Sequence, residues 1–79
     1  MLIAEKTIKE TVGFIVAQFR RQAKAAKTAG ERDAAYQSAK SELSGISKLL
    51  IGRREHSYTD LALIDLKNID AQYKKAQAA

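Results

Sequence analysis

Apolar side chains recur along this chain at spacings of three and four residues, the pattern of helices that bury one face. Ile8, Val12, Ile15 and Phe19 mark the first line, and the small residues Ala23 and Ala26 continue it. They predict a helix over about residues 4–27. Tyr36, Ala39, Leu43, Ile46 and Leu50 mark a second, heptad-like line on a helix over about 31–49. Ala62, Leu66, Ile69 and Tyr73 mark a third over about 58–75, with Leu61 and Ile64 forming an adjacent stripe. No Pro interrupts these segments and Ala is abundant, both favourable to long helices. The expected fold class is therefore all-α: three amphipathic helices in a single small helical domain spanning residues 1–79.

Two stretches break the helical pattern. At Thr28-Ala29-Gly30, Gly30 suits the left-handed position after a helix end. It also suits a mild weak point inside one long helix, at a cost of about 1 kcal/mol. A short turn fits better. The second break runs from Leu49 to Ser57. It reads either as a plain loop or as a very short β-hairpin around Gly52. In the hairpin, Gly52 takes the first central position of a type II′ turn and Ile51 faces Arg54. After it, Ser57-Tyr58-Thr59-Asp60 has the spacing of a capping box. There the Ser57 hydroxyl would accept from the Asp60 N–H, and the carboxylate would reach back to the N–H of Ser57.

Phe14 and Val16 lie off the line of the first helix, which makes its middle apolar on more than one face. A chain of 79 residues can hardly cover both faces itself. Cores of this size supply roughly 3–5 kcal/mol of net stability. There is no Cys to form disulfides, and a lone His makes a poor metal-ligand set. Association with other macromolecules is the remaining route. Val12, Phe14, Val16, Phe19, Tyr36 and Tyr73 are the candidate protein-interface residues.

Charge adds a second candidate surface. The net charge is +5, and residues 1–27 hold six Lys/Arg against two Glu. Arg20, Arg21, Lys24 and Lys27 gather near the end of the first helix, where cations offset the helix dipole. A solvated face explains them, and so does contact with an anionic partner, to which Arg53 and Arg54 could contribute. No aromatic residue is interleaved with them, so a base-stacking platform is not indicated. The longest apolar run, Phe14 to Ala17, is far too short to span a bilayer, and the N-terminal residues do not read as a signal peptide. A cytoplasmic protein is expected.

Enzymatic chemistry finds no support. There is no Gly-rich phosphate loop, no paired-His metal pattern and no nucleophile elbow. His56 has Ser57 and Asp60 close by in sequence, but neighbours at a helix start fit capping better than a catalytic relay. Asp60, Asp65 and Asp70, five apart, spread around their helix. No cofactor, metal or small-molecule substrate is expected.

The text from Ile51, I-G-R-R-E-H-S-Y-T-D-L-A-L-I, resembles a pattern in small tailed-phage proteins of the head–tail joining type. Gly52, Arg54, Ser57, Asp60, Leu61 and Ile64 occupy matching positions, and Leu43, Ile46 and Leu49 would match the preceding family helix. The resemblance covers residues 43–69. It implies a helix, a hairpin and a second helix, and a virion protein that docks into a ring under the portal without catalysis. The leading expectation is thus a structural or adaptor protein acting through helix–helix contacts. A small basic nucleic-acid-binding regulator and a protein inhibitor of a host or phage enzyme are the alternatives.

Overall fold

The computed structural model describes residues 5–78. Its elements are α1 (Glu5–Ala25), α2 (Ala29–Leu49) and α3 (His56–Ala78), and no strand occurs among the described residues. The expected all-α fold is what the chain adopts. The expected first helical residue, Ala4, lies outside the described residues. The helices run up, down and up in a rod of 45 × 16 × 16 Å, each packed on the other two. α1 and α3 start at the same end, where the Tyr58 hydroxyl donates to the Glu5 carboxylate.

The periodic stripes become the core. Ile8, Val12, Ile15, Phe19 and Ala23 of α1 are buried against Ala39 and Leu43 of α2, Leu50 beyond it, and Ala62, Leu66 and Ile69 of α3. The Phe19 ring meets Tyr36 edge-on, with centroids 5.8 Å apart. Leu61 and Ile64, the adjacent stripe on α3, stay largely exposed instead.

α2 starts earlier than its apolar pattern suggested. Thr28 is its N-cap, and its Oγ1 accepts from the Glu31 N–H at 3.1 Å. The Glu31 carboxylate reaches back to the Lys27 N–H at 3.0 Å. Thr28-x-x-Glu31 is thus a variant capping box, and Gly30 sits inside the first turn of α2 rather than after the end of α1.

The second break is a chain of tight turns and not a hairpin. Arg53 N–H donates to Leu50 C=O at 2.8 Å, which places Gly52 at the second central position. Its φ of +83° and the negative φ of Ile51 are those of a type II turn. A type II′ hairpin turn needs the positive φ one position earlier and a type I′ turn needs it at both central residues, and Ile51 supplies it for neither. The box expected at Ser57–Asp60 does not form either. α3 begins at His56, and the N–H groups of His56, Ser57 and Tyr58 are taken by the carbonyls of Arg53, Arg54 and Glu55. With those donors satisfied, the Ser57 hydroxyl donates to Arg54 C=O and the buried Thr59 hydroxyl to His56 C=O.

One charged side chain lies in the core. Arg32 is only 3% exposed, and its Nε donates to Asp70 Oδ1 across the α2–α3 interface at 3.0 Å. A second nitrogen meets Asp33 at 3.1 Å. The pair ties the start of α2 to the far part of α3. Among the described residues no buried side-chain polar atom lacks a partner.

Two stability changes follow. Asp70→Ala should cost about 1.5–3 kcal/mol in urea unfolding, because a buried guanidinium loses a charged acceptor; the double variant Arg32→Met/Asp70→Leu should recover part of that loss. Gly52→Ala should cost about 1–3 kcal/mol in the same assay, since a Cβ at that positive φ is strained even with open space around it.

Candidate protein-docking surface

Apolar surface is left over at Phe14 on α1, at Leu49 and Ile51 where α2 ends, and at Leu61 and Ile64 on α3. Phe14 projects away from the core stripe and is 60% exposed. Beside it on the α1 helix lie Gly13 and Ala17, both exposed and both small. They form one lip of an open groove of about 360 Å³ between α1 and α3, floored by Val12, Val16 and Ala62. The other lip is α3, where Tyr58 and Asp65 line the groove. Leu61 stands one turn from each of these along the same row of the helix, and it is 60% exposed. A Cβ added at Gly13 would meet nothing within 4 Å, so the groove is open at that point.

The expected interface residues separate under this geometry. Phe14 faces solvent, Val16 is half-buried at the groove floor, and Val12 is buried with its edge on the same floor. Phe19 is fully enclosed and cannot touch a partner, because its place on the core line spends it inside the chain. Tyr36 and Tyr73 are half-buried against the core.

The expected cations separate too. Arg20, Arg21, Lys24 and Lys27 are exposed, and the first three make no ion pair among the described residues. Arg20 lines the groove with Lys9. Arg53 and Arg54 lie in the α2–α3 turn at the end where α1 begins, so roughly 20 Å of helix separates them from Arg20. Arg53 is also held at 3.2 Å by Glu55. The Glu55 carboxyl is lowered from its ordinary value, first by the hydrogen bond to its own backbone and then by Arg53. These six cations do not form one patch.

A cluster that the sequence did not reveal lies where α2 meets α3. Ser47 Oγ is 2.9 Å from His56 Nε2, and Asp60 Oδ2 is 3.2 Å from His56 Nδ1. The order Ser, His, Asp is that of a hydrolytic relay, built with Ser47 rather than the neighbouring Ser57. The setting differs from such a site. Ser47 occupies the last turn of α2, where carbonyl dipoles repel a developing oxyanion, and neither lip of the α1–α3 groove reaches it. The cluster acts as a strut that braces the turn between α2 and α3. Only a folded turn brings residues 47 and 56 together, so their sequence separation concealed it.

No helix of the described chain is long and apolar enough to cross a membrane. Among the described residues no group of three or more His, Cys, Asp or Glu is placed to hold a metal ion. Comparison with protein-family models, curated proteins and solved structures returns no match.

Tyr58 is the titratable group that reports on the groove. Its hydroxyl donates to Glu5, and the Lys9 ammonium sits 5.1 Å from its ring centroid. The hydrogen bond to Glu5 raises its pKa above the ordinary tyrosine value. The clasp is therefore complete below the ordinary tyrosine range and is lost as pH rises through the higher folded value. Ultraviolet titration of tyrosine ionisation should show a late phase that belongs to Tyr58. Glu5→Ala, which removes the acceptor, should abolish that late phase; an unchanged titration curve would contradict the clasp.

Proposed function

We propose that this chain is a non-enzymatic structural or adaptor protein that works through helix–helix contacts with other protein. The observation that carries this reading is the set of large apolar side chains left exposed, Phe14 on α1 and Leu61 and Ile64 on α3 among them, together with the open apolar-floored groove between those two helices. Each helix already spends one stripe on the common core, so among the described residues these side chains are left outside it. Contiguous exposed apolar surface on a small protein marks an interaction site.

The specific form of the proposal is a head–tail joining component of a tailed-phage virion, seated in a ring beneath the portal. Its support is the resemblance at Gly52, Arg54, Ser57, Asp60, Leu61 and Ile64. The hairpin that the resemblance implies is replaced here by the type II turn. In that form the protein resides in the virion, and otherwise in the cytoplasm. A nucleic-acid-binding regulator is the second reading, favoured by the exposed Arg20, Arg21 and Lys24. The inhibitor reading rests on the same docking surface and differs only in what is docked.

The test is sedimentation velocity of the chain, alone and mixed with the products of neighbouring genes. Wild type should sediment as a complex in at least one mixture, and Phe14→Asp should sediment as a monomer in all of them with unchanged helical circular dichroism. A wild-type chain that stays monomeric in every mixture contradicts the proposal. Retention of DNA or RNA on a filter at low salt, falling steeply as salt rises, would favour the second reading.

A further inference from the structure

We propose that the α1–α3 groove receives an acidic amphipathic helix of a partner protein, its apolar edge on the groove floor and its acidic edge along α1. The inference rests on the protein-contact reading and names the chemistry of the guest.

Shape argues for a helix. The groove runs between two parallel helices, from the level of Lys9 to that of Arg20. At a rise of about 1.5 Å per residue this is about 16 Å, or roughly three helical turns. Its α1 lip is low, because Gly13 and Ala17 are small and one turn apart, so a guest backbone can approach closely. Val12, Val16 and Ala62 on the floor and Tyr58 at the side would take apolar side chains spaced three and four apart.

Charge decides what kind of helix. On the α1 side the groove is flanked by Lys9 and Arg20, and Arg21 and Lys24 follow in the next turn. Lys9 already faces Glu5 at 3.8 Å, whereas Arg20, Arg21 and Lys24 make no ion pair among the described residues. The α3 lip carries Asp65. A guest with carboxylates on one flank only therefore fits in one orientation, with those carboxylates toward α1 and away from Asp65.

A second copy of this chain fits less well. An antiparallel α1 pair centred between Gly13 and Ala17 would set Glu10 against Arg20, but also Lys6 against Lys24 and Lys9 against Arg21. Two like-charge pairings outweigh the one favourable pairing on each side, and each copy already carries +5.

The experiment is fluorescence anisotropy with the full chain and a labelled helical peptide of about five turns. Its Leu residues repeat at spacings of three and four, and Glu lines one flank; a control peptide has Lys in place of each Glu. The acidic peptide should bind at least tenfold more tightly than the control at low salt. Gly13→Gln, whose Cβ would have nothing within 4 Å and whose side chain would occupy the groove, should weaken binding tenfold or more at unchanged helicity. Asp65→Lys should tighten it, and Arg20→Glu should erase the preference for the acidic peptide. Equal binding of both peptides, no binding of either, or affinity indifferent to Gly13→Gln and Asp65→Lys would overturn the proposal. A homodimer in sedimentation equilibrium that Gly13→Gln dissociates would give the groove to a second copy. Displacement of the peptide by an oligonucleotide would give it to nucleic acid. If the peptides fail while Phe14→Asp still abolishes association, the protein-contact reading stands and only the acidic helix is lost.

Discussion

A helix in a three-membered rod can turn only about one third of its surface toward its neighbours, and this limit governs the molecule. α1 fills its inward third with Ile8, Val12, Ile15, Phe19 and Ala23. Of its two apolar residues of size off that line, Val16 stays half-buried beside the core and Phe14 points outward. α3 repeats the situation, with Ala62, Leu66 and Ile69 inside and Leu61 and Ile64 outside. Burying a large apolar side chain is worth about 1.5–3 kcal/mol. A partner that covers these residues gains what the isolated chain cannot.

The polar devices in the fold guard its ends. Thr28 and Glu31 close the start of α2, and the type II turn at Gly52 with the Ser47–His56–Asp60 strut joins α2 to α3. Arg32 and Asp70 lock the other end of that interface. A buried ion pair adds modest net stability at best, since both charges lose hydration. Its geometric demand fixes how α2 and α3 sit against each other. That setting, with the Tyr58–Glu5 contact between α1 and α3, holds the groove walls in place.

What the sequence made legible was what depends on period. Five α1 residues at spacings of three and four named their own core face, and the off-line Phe14 named the outward one. Groups that act by direction rather than period were harder to read. Arg32 stands four residues before Tyr36 on the same seam, a position that should have marked it as inward-facing, but its charge hid it. Thr28-x-x-Glu31 was a legible cap overshadowed by Gly30. Ser57-x-x-Asp60 had equal spacing and failed, because the helix already begins at His56 and the Arg54 carbonyl takes the Ser57 N–H. The groove itself depends on how two helices sit side by side, which neither segment encodes alone.

The central claim is that the Phe14 side of α1 meets another protein. It is tested most directly by placing a photoreactive benzoylphenylalanine at position 14 and, in parallel, at the exposed α2 position Gln37, and irradiating in the native cell. A discrete protein adduct is expected from position 14 and none from position 37. Adducts of equal yield from both positions, or none from position 14, would contradict it.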